Sequence, residues 1–194
     1  MRKAKNAVLV SGGGTNLQAL LDAEQSGVLT SGEIVLVVSN NAKAYALQRA
    51  EKAGVETAVL TGKGFEDALR QLLAERGIDL IILAGFMRIL SEDFTSAWPN
   101  RILNVHPSLI PAFCGKGYYG LRVHEEALAR GVKVTGATVH FVNEIPDGGE
   151  IILQKAVDVL PGDTPELLQK RVMEQAEWIL LPQAAELVSK GVLK

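Results

Sequence analysis

The sequence predicts an α/β fold: an open doubly wound, mostly parallel sheet with helices on both faces and a partly antiparallel C-terminal portion. Three observations predict it. Short apolar runs alternate with amphipathic segments along most of the chain, the order that βαβ units produce. The runs are near-continuous in Val, Ile and Leu, as expected of strands buried on both faces. After residue 110 this alternation gives way to two longer runs joined by turn formers, which suits an antiparallel pair.

Residues 7–10 read as the first strand. Residues 16–26 follow as a helix with Leu17, Leu20 and Leu21 on one face. Residues 33–39 form an apolar strand, and residues 44–53 a helix closed by Gly54. Residues 56–60 are a third strand. Phe65, Leu69, Leu72 and Leu73 mark the stripe of a helix that stops before Gly77. Residues 80–83 and 101–105 supply two more strands, and right-handed crossovers join them into one sheet. Residues 112–121 are Gly-rich, contain Phe113, Tyr118 and Tyr119, and read as a loop. Residues 132–141 and 151–157 are the two longer strands, linked by the turn-forming stretch 143–149. Thr164 opens a final helix with Pro165 at its first position and Glu166 in its first turn. It runs towards Ser189, with a break or kink expected near Pro182.

A chain of 194 residues suits one domain with a sizeable core. Hydrophobic residues make up 47% and charged residues 22%, the balance of an ordinary globular protein. A net charge of -2 without a charge block argues against a nucleic-acid partner. The single cysteine, Cys114, rules out an intrachain disulfide. No apolar run approaches the roughly 20 residues of a membrane span. The basic N-terminus leads at once into a strand and a glycine turn, unlike a signal peptide. A reducing cytoplasm is the expected location.

Ser11-Gly12-Gly13-Gly14-Thr15-Asn16 joins the first strand to the first helix. Glycines permit a tight turn, and a helix N-terminus offers free N–H groups to an anion, typically a phosphate. The alternative is a turn that only fits the connection. A dinucleotide fingerprint is incomplete here: its third glycine falls on Leu17, and the second strand ends in Ser39-Asn40-Asn41 without an acid for a ribose. No Gly-Lys-Ser/Thr follows, so it is not a P-loop either.

Asn104-Val105-His106 ends a strand, and Asp147 opens Asp147-Gly148-Gly149. Asn104 and His106 are two apart, so both point to one face. Together an amide and an imidazole can donate two hydrogen bonds to a developing oxyanion. A carboxylate can orient the imidazole or relay a proton. The glycine loop, residues 85–90 and residues 104–106 all sit at carboxyl ends of strands, where open sheets bind ligands. His106, His124 and His140 are the only histidines, and no spacing among them suits a metal. Ser108 lacks a Gly-x-Ser-x-Gly elbow. His140 suits either a buried hydrogen-bonded role or the support of a site residue. His124 begins a helix and reads as a cap or surface residue.

Ser-Gly-Gly-Gly-Thr-Asn-Leu-Gln-Ala (11–19), Leu-Ala-Gly-Phe-Met-Arg-Ile-Leu-Ser (83–91), Asn-Val-His-Pro-Ser-Leu-Ile-Pro (104–111) and Val-His-Phe-Val (139–142) with Asp147-Gly148-Gly149 resemble the phosphoribosylglycinamide formyltransferase family. These are the folate-dependent glycinamide ribonucleotide transformylases of purine synthesis. The resemblance runs in order over nearly the whole chain. It implies formyl transfer from 10-formyltetrahydrofolate, a co-substrate, to the amine of glycinamide ribonucleotide, with no metal. It implies Asn104, His106 and Asp147 as catalytic, with Asp147 orienting His106, through water, and raising its pKa. Gly14, Thr15 and Asn16 match the phosphate site, and Glu177 the ribose contact. Met87, Arg88, Ile89 and Leu90, with Asn143 and Glu144, match the folate pocket. For Met87, Ile89 and Leu90 core packing is the competing reading, and for Glu177 a solvated helix face.

The resemblance also implies one formyltransferase domain over residues 1–194. Its first half, 1–105, would be the phosphate-binding Rossmann-like part, and 106–194 the folate-binding and catalytic part, in a monomer or homodimer. Two segments depart from the family pattern. Residues 113–121 are longer than the usual loop, and Glu177-Trp178 replaces the usual Glu-His, with one extra residue after Arg171-Val172. Methionyl-tRNA formyltransferase and formyltetrahydrofolate hydrolase carry further domains for which this chain has no length. A nucleotide-binding domain without catalysis would leave the Asn104, His106 and Asp147 set unexplained.

Overall fold

The computed structural model describes residues 2–192. Its strands are β1 Ala4–Val10, β2 Gly32–Ser39, β3 Glu56–Val59, β4 Leu80–Leu83, β5 Ile102–His106, β6 Val134–Phe141 and β7 Ile151–Asp158. Its helices are α1 Thr15–Ser26, α2 Tyr45–Lys52, α3 Phe65–Arg76, α4 Glu92–Ser96, α5 Leu121–Arg130, α6 Pro165–Val172 and α7 Trp178–Val192. The strands form one sheet in the order β3-β2-β1-β4-β5-β6-β7. Pairing is parallel from β3 to β5 and antiparallel from β5 to β7. The expected mixed α/β sheet is therefore present. Among the described residues no helix is long and apolar enough to cross a membrane.

Alternate strand residues feed two cores, because successive side chains point to opposite faces. Val8, Val10, Val37, Ile82, Leu103 and Val105 meet α1, α2, α6 and α7. Ala7, Leu9, Leu36, Val38, Ile81 and Ile102 meet α3 and Phe94 of α4. Beyond Ile102 this second face turns polar. Asn104, His106, Thr138 and His140 share it through the β5–β6 register, in which Asn104 faces His140 and His106 faces Thr138. Their cover is the segment after β5. Thr138 Oγ1 donates to Ser108 O at 2.7 Å and accepts from Ile110 N at 3.1 Å.

The final helical segment is not broken at Pro182, one of the two outcomes expected there. Helix α7 runs through Pro182. The irregularity lies earlier, in a π-turn at Met173–Glu177. A π-turn holds one more residue than an α-turn, so it absorbs the extra residue after Arg171-Val172. It leaves Val172 and Glu177 both buried. Helix α4 carried no expectation from the sequence. Its Ser91 cap accepts from Phe94 N at 3.1 Å.

Candidate active site

The order β2-β1-β4 reverses the direction of winding between β1 and β4, and a crevice opens at their carboxyl ends. Gly14, at φ 73°, turns the chain from β1 into α1. A Cβ there would lie 2.6 Å from that of Ala46, so only glycine fits. Ala46 N donates to Gly12 O at 3.1 Å, and Arg49 Nε to Gly13 O at 2.8 Å, pinning the loop to α2. No side chain caps α1, and no acid occupies its first turn. Met87 N donates to Ser11 Oγ at 2.9 Å, tying the glycine loop to the loop after β4.

A cavity of about 690 Å³ fills the crevice. Asn16 and Glu177 line one side, Met87, Arg88 and Ile89 another, and Asn104, His106 and Asp147 the centre. The loop 113–120 closes one side of it as a lid, with Gly115 to Gly120 on the wall. Other candidates lie elsewhere. Thr15 borders a separate hollow with Arg49 and Trp178, and Gly14 lines neither. Leu90 is packed in the second core. Asn143 and Glu144 are off the wall, and Asn143 Oδ1 accepts from Ile145 N at 3.0 Å. Met87 and Ile89 are exposed, which sets aside core packing for those two.

At the centre, His106 Nε2 donates to Phe113 O at 2.8 Å, while its Nδ1 lies 3.5 Å from Asp147 Oδ2. His140 Nδ1 donates to Phe141 O at 2.7 Å, which leaves Nε2 to accept from Asn104 Nδ2 at 3.2 Å. Asp147 Oδ1 stands 3.5 Å from the same Nε2. Gly115 N donates to Asp147 Oδ2 at 2.8 Å. Two lid backbone groups thus hold the imidazole and the carboxylate. Asp147 sits at φ 56°. Gly149 must be glycine, because a Cβ would stand 1.7 Å from Phe141 O.

Burial lowers the pKa of His106, against the opposing charge of Asp147 and the bond to Phe113. Asp147 does raise it, as the resemblance implied, but desolvation of the cation outweighs the ion pair. Asp147 places one carboxylate oxygen 3.5 Å from a ring nitrogen of each imidazole. Burial would raise its carboxyl, but contact with His140, the charge of His106 and the Gly115 N–H together hold it below its usual value. Its carboxylate is therefore ready to pair with a protonated His106.

Glu177 is buried, not on a solvated face, and Asn16 Nδ2 donates to its Oε2 at 2.8 Å. Burial pushes its carboxyl up to about 7. His124 also departs from expectation. It lies in the first turn of α5 but is 0% exposed, neither cap nor surface residue, because that turn packs inwards with Val123. His140 is buried and joins Asn104 to Asp147, a link that its cross-strand position opposite Asn104 could have signalled. Ser108 donates to Ala112 O at 2.5 Å and holds the turn after β5. Among the described residues no group of three or more His, Cys, Asp or Glu side chains is arranged for a metal ion.

A model of the formyl transferase family matches residues 4–184. The phosphoribosylglycinamide formyltransferase of Haemophilus influenzae is 42% identical over 196 residues, covering 98% of this chain and 89% of that protein. The trifunctional purine biosynthetic protein adenosine-3 of Homo sapiens is 46% identical over 199 residues, covering 100% of this chain. The chain spans only 19% of the length of that trifunctional relative. The crystal structure of glycinamide ribonucleotide transformylase 1 from Symbiobacterium toebii superposes with a TM-score of 0.89 at 44% identity. That match covers 97% of this chain and 89% of the other.

Proposed function

The chain belongs to the formyl transferase family, and we propose that it transfers the formyl group of 10-formyltetrahydrofolate to the amine of glycinamide ribonucleotide in purine synthesis. The observation that carries the reading is the contact set of Asn104, His106 and Asp147, joined by His140 and standing in one cavity with the glycine-loop residue Asn16.

The substrate amine is itself the nucleophile, so no covalent enzyme intermediate is required. Its attack on the formyl carbon forms the new C–N bond and places negative charge on the formyl oxygen. The folate N10–C bond then breaks. The amine loses one proton and N10 gains one, so the protein only has to hold charge and move a proton. Asn104 and His106 are the donors for the oxyanion. Asn104 Nδ2 gives one of its two N–H groups to His140 and keeps the other free, while His106 Nε2 is spent on Phe113 O. The Phe113 to Gly115 segment must therefore withdraw for His106 to reach the formyl oxygen. Asp147 faces the other imidazole nitrogen and stabilises the cation when His106 is protonated.

The uncapped start of α1 is the phosphate site, with Gly14, Thr15 and Asn16 supplying it. Glu177, fixed by Asn16, faces the ribose. Met87, Arg88 and Ile89 shape the folate side of the cavity. By resemblance Leu90, Asn143 and Glu144 belong to the folate side as well, although none of them lines the cavity.

Absorbance at the wavelength of released folate tests this reading. Purified protein should release folate from a 10-formyl donor only when glycinamide ribonucleotide is present. Release without the ribonucleotide would indicate hydrolysis instead, and no release in either case would end the proposal.

A further inference from the structure

His124 is the one histidine that the catalytic set does not employ. Its side chain is 0% exposed, and neither ring nitrogen has a hydrogen-bond partner among the described residues. His106 and His140 each have partners for both nitrogens or a carboxylate beside them. A buried polar group without a partner costs on the order of 1–3 kcal/mol. The neighbouring Val123 and Ala127 show that an apolar side chain would serve the packing of α5. His124 is nevertheless one of the residues around the active-site cavity, as are Gln169 and Met173 of the α6 and π-turn wall.

We propose that His124 binds substrate, one ring nitrogen hydrogen-bonding the amide of the glycinamide group of the ribonucleotide. The inference rests on the ribonucleotide reading given above. The substrate runs from its phosphate through the ribose to the reacting amine. The phosphate and ribose ends are assigned to the start of α1 and to Glu177, and the reacting end to Asn104 and His106. The portion between them is an amide, and His124 shares the cavity wall with Glu177 and with His106. Burial, with repulsion from His106, lowers its pKa to about 4, so the ring is neutral near pH 7. A neutral imidazole offers one N–H and one lone pair. An amide offers the same pair of functions, so the two match without any buried charge. A phosphate would instead favour a charged ring.

Steady-state kinetics and calorimetric binding of glycinamide ribonucleotide test the proposal. His124→Leu should raise the KM and Kd for the ribonucleotide about tenfold or more, the loss of roughly one buried hydrogen bond. The KM for the formyl donor should stay near the wild-type value. The Tm should hold or rise, since an unpartnered polar group is gone. His124→Asn, which restores a donor and an acceptor, should recover part of the affinity. If His124→Leu does not fold, His124→Phe keeps a flat ring without nitrogens and takes its place. Wild-type ribonucleotide affinity in the apolar variant, or equal loss for both substrates, overturns the proposal. A wild-type protein that releases folate without regard to ribonucleotide overturns the functional reading, and this inference with it.

Discussion

The parallel half of the sheet and its antiparallel edge are built on opposite terms. In β1, β2 and β4 most strand residues are buried and nearly all of those are apolar, with Asn6 and Ser39 the buried polar side chains. From β5 onwards the protein buries His106, Ser108, His124, Thr135, Thr138, His140 and Glu177. Burying such groups is costly unless they find partners. The first region spends its sequence on packing and leaves its ligand-facing work to backbone at the glycine loop. The second accepts desolvated polar side chains, and burial shifts the pKa values of three of them, His106, His124 and Glu177. Stability and chemistry are thus segregated across one continuous sheet.

The sharpest way to break that contrast is substitution at the catalytic centre. His106→Ala or Asp147→Ala should lower turnover roughly 100-fold or more, the effect of removing an oxyanion donor or a proton-transfer partner. Circular dichroism should show the fold retained. Near-normal turnover in both variants would sink the mechanism. Ile82→Ala, at 0% exposure in the parallel half, should do the reverse. It should cost about 2–5 kcal/mol of stability by leaving a cavity, while turnover per folded molecule is nearly unchanged. Denaturant unfolding and kinetics on the same preparation would separate the two.

The same segregation decides what could be read from sequence. The parallel strands were legible because continuous Val, Ile and Leu runs have few other places to go. The three loops at strand ends followed from that order, and the cavity contains residues from all three. Helix α5 and the lid were not legible to the same degree. The lid acts through Phe113 O and Gly115 N, backbone groups that every residue carries. His140 joins the site by facing Asn104 across β5 and β6, a register that an isolated strand does not declare. The extra residue near Glu177 was visible, but not its consequence. Whether it breaks a helix or is absorbed in a π-turn depends on Val172 and Glu177 both needing burial.

Glu177 sharpens the comparison through pH. Its carboxyl titrates at about 7 in the fold, against 4.5 for an ordinary glutamate. Between those values the folded protein keeps a proton that the unfolded chain has released. Stability therefore falls as pH rises from 4.5 to 7 and levels off above, by up to about 3 kcal/mol from this residue. Glu177→Gln should remove that slope, leaving the variant more stable than wild type at pH 8 and equal to it near pH 4. Urea unfolding at several pH values would show it. An unchanged slope would mean that Glu177 keeps an ordinary pKa despite its burial.

The smallest effect is expected where the parallel half meets the ligand through backbone alone. Thr15 is the first residue of α1, after Gly14, and its hydroxyl makes only a weak contact of 3.9 Å with Met173 Sδ. A carboxylate at that position meets the positive end of the helix and should stabilise the protein by about 0.3–1 kcal/mol. The same charge would occupy the site proposed for a phosphate and repel it. Thr15→Asp should therefore raise Tm slightly while weakening ribonucleotide binding about tenfold, with the formyl-donor KM unaffected. Opposite signs in the two readouts are the signature of an anion site at a helix N-terminus. If the Tm rises and ribonucleotide affinity does not change, the glycine loop is only a turn, and the phosphate must be held elsewhere.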